Sequence, residues 1–516
     1  MPVHFFASAV SSTVPTEYWA TIAASLVAIS LLKTWSKGAK LLDAQRTRAC
    51  AEAPRADKRF VDLHGRIILV ATGAFTPLGV VTLASLAHRG AQIIALTASI
   101  SSPAVIQMIE LIRDSTQSEL IYAEQCDVGS LESISAFAAL WNSGDKKQQE
   151  GVRRLDGLLF LPPGREELQN VQVQTASTGT STSRKDRIYQ LHVLARLHLV
   201  NSLLSSLLVQ PPEREVRIVS VMSPFYAAGV AHFDVLSSAT STGEPKNAES
   251  EAETRGPTPL QTRSESSYSA LIGAASLRWY VLTVELQRRL DLLAEADPRP
   301  RTKLGDVEMQ ARADAMFAPR APPSGSRSTS VEAQVALRMK RHSNISIINV
   351  CAGFERSSDI IDTFFPPASL VYNDAFHKFI FIVRTSVRLI VLLIVWPVLW
   401  LLAKSPATAA DSVVWATTRT LESLSERHAR ITTSLTQPAR SLQPNIQVTR
   451  RNDNLIPAEL YREGNIIRPP LPQRFHVAPP DHTDTDDAWS QLWMQDEQEV
   501  ERRITALGGH IQRPKV

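Results

Sequence analysis

Between Arg59 and Gly353, short runs of β-branched residues alternate with stretches of helical periodicity, a pattern that few folds accommodate. It is typical of βαβ units, whose strands form a parallel sheet with helices on its faces. The predicted strands are residues 66–72, 92–97, 119–128, 155–162, 216–222 and 344–350. The predicted helices are residues 77–89, 102–114, a stretch after Ser130, 186–209 and 265–292. The pattern predicts an α/β protein built on a doubly wound parallel sheet.

The chain is longer than one such domain requires. It has 516 residues, whereas one α/β domain of this kind needs about 250. Three stretches of the alternating region, about 170–185, 236–266 and 295–343, are rich in Ser, Thr, Pro and charged residues. We predict that they are disordered surface insertions, because such a composition buries too little apolar surface to fold.

Composition excludes several classes of function. The 55 basic and 51 acidic residues leave a net charge of +4, which argues against a strongly basic nucleic-acid binder. Cys50, Cys126 and Cys351 are too few for a disulfide framework, and no two have the C-x-x-C spacing of a zinc site. The acidic run 481–487 lacks the glycine and the final glutamate of a calcium loop. We therefore predict no metal site and no nucleic-acid partner.

An uncharged run, Tyr18–Leu32, predicts a membrane anchor near the N-terminus. As a helix it covers about 22 Å, enough for a short span if the flanking residues extend it. Those flanking residues are Lys33, Trp35, Lys37 and Lys40. Positive flanks stay in the cytosol, so the core is predicted to face the cytosol at the endoplasmic reticulum or the mitochondrial outer membrane. Residues 1–58 form the predicted anchor and basic linker; the alternative is a buried core helix.

A second apolar segment, Phe379–Ala403, would extend about 37 Å as a helix and is long enough to span a bilayer. Arg384 and Arg388 lie on one face of that helix, and Pro397 interrupts its hydrogen bonds. The basic residues favour a helix that lies in the membrane interface or re-enters over one that spans. Both alternatives remain open.

Residues 431–516 form a predicted Pro-rich tail that ends in an amphipathic helix at about 486–507. Its apolar stripe consists of Trp489, Leu492, Trp493, Val500, Ile504 and Leu507. Such a stripe must be covered. We favour docking on the chain's own domain over an external partner.

The turn Thr72–Gly79 follows the first strand and opens a helix, an arrangement that can receive a pyrophosphate. Further along the chain come CDV at 126–128, VSVMS at 219–223, YSALIGAA at 268–275 and NVCAGF at 349–354. This series resembles the short-chain dehydrogenase/reductase superfamily, which has a Rossmann-like fold. The resemblance covers residues 59–430 and extends to an uncharacterised fungal subfamily of membrane-associated proteins.

The resemblance implies a site for NAD or NADP. Thr72, Gly73 and Gly79 match the family's turn, whereas Pro77 replaces its middle glycine. Three further residues match cofactor-binding positions: Asp127 on the adenine side, Gly164 after the fourth strand and Gly353 after the sixth. The second strand ends without the acidic or basic residue that separates NAD from NADP, and a chain that binds neither is the third possibility.

The resemblance also implies catalytic roles for Tyr268, as proton donor or acceptor, and for Ser223, which would hydrogen-bond the substrate oxygen. Ile272 stands where the family has a lysine, and that lysine lowers the pKa of the tyrosine. A phenol has a pKa of about 10, so a cation nearby is needed to ionise it at neutral pH. His192 replaces the family's helix-four asparagine; we read it as an interior histidine or, less favoured, as part of a proton path.

The sequence therefore predicts a membrane-associated protein of this family, an NAD(P)-dependent oxidoreductase acting on a lipophilic alcohol or carbonyl. Its predicted partners are membrane lipid and a lipophilic small molecule, and a homodimer is left open. Because Ile272 and Pro77 depart from the family, the alternative is a catalytically inactive Rossmann-fold binding or scaffolding protein at the membrane.

Overall fold

The computed structural model describes eleven stretches of the chain. They are residues 19–38, 41–42, 62–144, 153–171, 184–210, 214–236, 267–296, 343–356, 375–421, 454–476 and 487–506. The three predicted insertions lie almost entirely outside these residues. The chain divides into two compact units, Met1–Lys40 with Gly353–Ala409, and Leu41–Ala352 with Ala410–Val516. We call them the helical unit and the sheet unit.

Eight strands form one sheet in the sheet unit, in the order β3-β2-β1-β4-β5-β6-β7-β8. Their ranges are β1 Ile67–Thr72, β2 Gln92–Thr97, β3 Ile121–Gln125, β4 Gly157–Phe160, β5 Val216–Met222, β6 Ile345–Cys351, β7 Leu460–Arg462 and β8 Asn465–Ile467. All neighbours are parallel except β7 and β8. This order is that of a doubly wound dinucleotide-binding fold, and it confirms the predicted fold class.

Eleven α-helices occur in the described residues. They are α1 Trp19–Lys37, α2 Pro77–Ala87, α3 Pro103–Thr116, α4 Leu131–Ser143, α5 Arg165–Asn170, α6 Arg184–Tyr189, α7 Ala195–Leu208, α8 Tyr268–Ala296, α9 Ala375–Leu402, α10 Pro406–Thr418 and α11 Ala488–Ala506. A π-helical turn, Gln190–Leu194, joins α6 to α7, and Tyr226–His232 and Gln473–Phe475 are 3₁₀-helical. The predicted helix 186–209 is therefore two α-helices interrupted by a π turn.

The central strands are buried on both faces, as expected for a parallel sheet covered by helices. Every residue of β4 and β6 is buried. The main core joins these strands to the helices α4, α7, α8 and α11. Representative core residues are Leu69, Phe137, Leu158, Phe160, Leu203, Trp279, Ile347 and Trp493.

Two strands were not predicted. β7 pairs in parallel with β6, and β8 returns antiparallel to β7 through a turn at Glu463 and Gly464, whose φ angles are 53° and 78°. Positive φ at both central residues is the conformation of a tight hairpin turn. Three-residue strands are too short to show a period of two, so the sequence predicted β7 and β8 only as part of the Pro-rich tail.

Helix α11 packs on the sheet unit, against α8, the π turn, α4 and α7. The predicted apolar stripe is buried as far as Ile504, and Leu507 lies outside the described residues. A buried ion pair adds to this contact. The Arg278 guanidinium on α8 donates to the Asp496 carboxylate at 2.9 Å from Nε, and the Tyr189 hydroxyl donates to the same carboxylate at 2.5 Å. Of the two alternatives for the tail helix, the structure shows docking on the chain's own domain.

The helical unit contains α1 and α9, which contact each other. Residues 381–402 of α9 are long and apolar enough to cross a membrane, with a mean hydropathy of 2.2, and they are not buried. The stretch Arg184–Leu208 in the sheet unit has similar length and composition, but it is largely buried and serves as a core helix.

Basic and aromatic side chains meet near the C-terminal ends of both helices of this unit. The Lys33 ammonium lies 4.4 Å from the ring centroid of Trp400 and donates to the Trp400 carbonyl. The Arg356 guanidinium lies 5.9 Å from the ring centroid of Trp396. The large apolar residues that α9 exposes are Ile382, Val383, Val387, Leu389, Ile390, Leu393, Ile394, Trp396, Trp400 and Leu402.

Backbone hydrogen bonds join the two residues on either side of the segment that carries α9, Arg356 and Lys404. The Lys404 N–H donates to the Phe354 carbonyl at 2.8 Å, and the Arg356 N–H donates to the Lys404 carbonyl at 2.9 Å. Residues 357–403 therefore begin and end side by side.

Candidate active site

The glycine turn after β1 lies at the carboxyl edge of the sheet, where open α/β sheets bind ligands. The Thr72 hydroxyl donates to the Leu161 carbonyl at 2.7 Å, which fastens the end of β1 to the end of β4. Gly73 has φ of 68°, and a Cβ there would lie 2.2 Å from the Pro162 carbonyl oxygen. A Cβ on Gly79 would lie 2.1 Å from the Gly73 carbonyl oxygen. Packing alone therefore requires glycine at both positions.

Two of the N–H groups of this turn donate to side chains. The Gly79 N–H donates to the Thr76 hydroxyl oxygen at 3.1 Å, which caps α2, and Pro77 has no N–H. The Gly73 N–H donates to both oxygens of the Glu167 carboxylate, at 3.0 Å and 3.2 Å. A carboxylate of the chain itself thus holds the Gly73 N–H, a donor that a bound phosphate could otherwise use.

Glu167 reaches the turn because of a local helix cap. It is the third residue of α5, and its carboxylate also accepts from the N–H of Gly164, the N-cap residue. This is the glutamate half of a capping box. The spacing Gly164-x-x-Glu167 is visible in the sequence, but its contact with Gly73 is not, and the sequence analysis missed Glu167.

Burial raises the pKa of Glu167 to about 7. The N–H groups of Gly73 and Gly164 and the charge of Arg196 oppose this rise, because each favours the ionised carboxylate. Asp127 adds a smaller effect that raises the pKa further. The carboxyl group therefore changes charge near neutral pH.

Arg196 is a second group that the sequence analysis missed. Its side chain is 3% exposed and lies beside the rings of Phe160 and Trp279, with the guanidinium carbon 5.5 Å and 5.8 Å from the two centroids. Its hydrogen bonds, to the Ser220 hydroxyl and the Leu161 carbonyl, are both 3.4 Å long, and its Nε has no partner among the described residues. Burial lowers the pKa of Arg196 to about 10, so it remains charged at neutral pH.

His192 lies in the π turn, one helical turn before Arg196. Burial and the nearby Arg196 charge lower the pKa of His192 to about 3. The imidazole is neutral at physiological pH, which supports the interpretation of His192 as an interior histidine.

The predicted adenine-side residue, Asp127, follows β3. Its carboxylate accepts from the Gly129 N–H at 2.9 Å, and its own N–H donates to the Ser133 hydroxyl oxygen at 2.9 Å. Burial raises its pKa. Asp127 thus shapes the turn into α4, and its role toward a cofactor stays a prediction.

Of the predicted catalytic residues, Ser223 contacts α8 and Tyr268 is the first residue of that helix. Ser223 follows β5, and its N–H donates to the Ser276 hydroxyl oxygen at 3.3 Å. Tyr268 begins α8, and its ring centroid lies 5.9 Å from the Arg184 guanidinium of α6. Ile272 packs against the main core, so a lysine there would bring charge to an apolar surface. The catalytic roles stay predictions.

Gly353 belongs to the helical unit. Its φ is 88°, which favours glycine, and a Cβ there would lie 3.2 Å from Lys404 Nζ. Among the described residues, no group of three or more His, Cys, Asp or Glu could hold a metal ion.

Two curated fungal proteins are similar to this chain. An uncharacterised oxidoreductase of Saccharomyces cerevisiae is 31% identical over 157 residues, 30% of this chain and 37% of that protein. An uncharacterised oxidoreductase of Schizosaccharomyces pombe is 28% identical over 179 residues, 34% of this chain and 43% of that protein. The similarity thus spans less than half of each relative. No protein-family model matches the sequence.

The chain also resembles solved structures at low similarity. L-sorbose reductase from Gluconobacter frateurii, in complex with NADPH and L-sorbose, is 12% identical with a TM-score of 0.35, over 69% of this chain and 91% of that one. An NADPH-bound short-chain oxidoreductase from Pseudomonas aeruginosa with an atypical catalytic center is 14% identical with a TM-score of 0.34, over 70% and 92%.

The strand order and the glycine turn after β1 decide the fold. The sheet unit has a Rossmann-like fold. This bears out the predicted fold class. The sheet unit has its glycine turn at the carboxyl edge of the strands, and there the Gly73 N–H donates to the chain's own Glu167 carboxylate.

Proposed function

We propose that this protein is a membrane-associated oxidoreductase that uses NAD or NADP to act on a lipophilic alcohol or carbonyl. The observation that carries the proposal is the glycine turn at the carboxyl edge of β1 and β4, the ligand-binding edge of this fold. The name oxidoreductase, carried by both fungal relatives, supports it. Tyr268 and Ser223 are the proposed catalytic residues.

Membrane association is supported by the helical unit. Its helix α9 exposes apolar residues along most of its length, which in water would be costly. Tryptophan and basic residues, as found at Lys33, Arg356, Trp396 and Trp400, are enriched where proteins cross the membrane–water boundary. A sheet unit held at a membrane by such helices would suit a substrate that partitions into lipid.

A cofactor titration tests the oxidoreductase. Fluorescence of the purified full-length protein is followed during addition of NADH and NADPH, and we expect saturation below millimolar concentration. Absence of binding at millimolar cofactor would remove this function. If binding occurs, Tyr268→Phe is expected to abolish turnover of a lipophilic carbonyl substrate, and unchanged turnover would remove Tyr268 from catalysis.

A second candidate function is a catalytically inactive binding or scaffolding protein at the membrane. Two observations favour it: Ile272 replaces the family's lysine, and the Glu167 carboxylate engages the Gly73 N–H. The turnover assay distinguishes it, because this function predicts no turnover even where a nucleotide binds.

A further inference from the structure

The contact between Glu167 and Gly73 is not explained by helix capping alone. The cap requires only the N–H of Gly164, which is local to α5. Gly73 lies 94 positions earlier in the chain, yet its N–H points at both carboxylate oxygens, at 3.0 Å and 3.2 Å. A carboxylate therefore occupies the position of an anion in the glycine turn.

A small backbone adjustment cannot point the Gly73 N–H away from Glu167. Gly73 packs so closely on Pro162 that there is no space even for a Cβ. Any phosphate group that approaches this N–H must replace the carboxylate, because two anions cannot share one donor at this distance without strong repulsion.

We propose that Glu167 is a resident anion of the glycine turn, which a phosphate-bearing ligand displaces and whose charge lowers the affinity for that ligand. Where the ligand is NAD or NADP, this inference rests on the proposed function. The displacement itself is a property of the turn and can be measured with inorganic pyrophosphate.

Charged groups on the neighbouring elements set when Glu167 carries its charge. Arg196 on α7 favours the ionised form, while Asp127 after β3 and the loss of solvation oppose it. Because its folded pKa, about 7, is above the ordinary value of 4.5, Glu167 stabilises the fold most when protonated. That contribution is complete below pH 4.5 and is lost as the pH rises through about 7. A protonated Glu167 is also a weaker acceptor for the Gly73 N–H, so displacement becomes easier as the pH falls.

The test compares wild type with Glu167→Gln in the purified full-length protein at pH 8, where Glu167 is ionised. The amide keeps an acceptor for the N–H groups and removes the charge. Hydrogen bonds to a charged group exceed neutral ones by roughly 1–1.5 kcal/mol, so we expect inorganic pyrophosphate to bind about tenfold more tightly to the variant in calorimetric titration. Glu166→Gln, an exposed neighbour on α5, is the matched control and should leave the affinity unchanged.

The second measurement is the pH dependence of pyrophosphate binding to wild type and to Glu167→Gln. Both proteins encounter the same protonation states of pyrophosphate, so the ratio of their dissociation constants isolates Glu167. We expect this ratio to fall from about ten at pH 8 toward one at pH 6. A ratio that stays constant between these pH values would contradict the proposal.

Two further outcomes separate this inference from the proposed function. Equal affinity of wild type and Glu167→Gln for pyrophosphate, or no binding to either, would overturn the resident-anion role and leave Glu167 as a helix cap. Tighter pyrophosphate binding by the variant, combined with no NADH or NADPH binding by either protein, would uphold the role and remove the oxidoreductase.

Discussion

Gly73 and Gly79 would be required by this fold even if no cofactor were bound. Each approaches a carbonyl oxygen too closely to carry a Cβ, and Gly73 also has a positive φ. A glycine match to a nucleotide-binding family is thus evidence for the turn rather than for the nucleotide. The side chains around the turn carry the chemical information, and there Glu167 and Pro77 depart from a phosphate site.

Gly65 offers a matched control for the steric argument at Gly73. Both have φ near 70°, but a Cβ on Gly65 would meet no atom within 4 Å. Gly65→Ala carries only the conformational cost, about 1–2 kcal/mol. Gly73→Ala adds the overlap with Pro162, so we expect a total loss of about 3 kcal/mol or more in urea denaturation monitored by circular dichroism. Similar losses for the two variants would show that the turn relaxes easily.

Part of the candidate site could be predicted from residue identity alone. The replacement of the family's lysine by Ile272 was readable, and the structure adds that this side chain packs on the core. Glu167 and Arg196 were not found, because their importance comes from contacts with Gly73 and with Phe160 and Trp279. Those partners are distant in sequence, and no spacing rule links them.

At the scale of elements, the predicted helix 186–209 shows a limit of periodicity. The sequence predicts one helix over 186–209, whereas the chain forms a π turn at Gln190–Leu194 between two α-helices. A π turn takes an extra residue and shifts the helix face that follows. An apolar pattern with buried residues on every side, as in this stretch, does not reveal that shift.

Helix α11 is the other element whose placement depends on distant residues. Its apolar stripe favoured docking on the chain's own domain, but it did not indicate which element the helix contacts. The structure places α11 against α8, where Arg278 of α8 pairs with Asp496 of α11 and both residues are 0% exposed. A buried pair of this kind is expected to fix the position of the helix more than it adds net stability.

Removing one member of this pair should be costly. Asp496→Ala leaves the Arg278 charge buried without its carboxylate, and we expect a loss of about 3–5 kcal/mol in urea denaturation. The double variant Asp496→Leu with Arg278→Met replaces the pair by apolar groups and should recover most of that loss. Glu497→Ala, at an exposed position of the same helix, is the control and should change stability by less than about 0.5 kcal/mol. No recovery in the double variant would mean that the ion pair is itself a main source of stability.

At the scale of the whole molecule, the chain uses its surplus length for a helical unit and for additions to one sheet unit. The membrane proposal depends on the helical unit alone. Hydrogen bonds join Phe354 and Arg356 to Lys404, so the segment between them starts and finishes on the same side of any membrane that it enters. A single crossing of the membrane between Arg356 and Lys404 would place these two residues on opposite sides, which their hydrogen bond excludes.

Labelling from outside the membrane tests this closure. In a background with Cys50, Cys126 and Cys351 changed to Ala, Phe354→Cys and Ser405→Cys are treated in sealed microsomes with a maleimide that does not cross membranes. We expect both positions to react from the same side as Leu111→Cys, an exposed residue of the sheet unit. Leu393→Cys, on the apolar face of α9, should react only after detergent is added. Labelling of positions 354 and 405 from opposite sides would contradict the closed segment.

Local patterns were enough to establish the parallel α/β fold, its first six strands and the presence of apolar helices. Each of these follows from the periodicity of a short stretch and the hydrophobic effect on that stretch. Contacts between distant residues were needed for the rest: β7 and β8 on the edge of the sheet, α11 on α8, and Glu167 against Gly73. Such contacts form because folding brings side chains together in a low-dielectric interior, where a single charge or hydrogen bond outweighs local propensity.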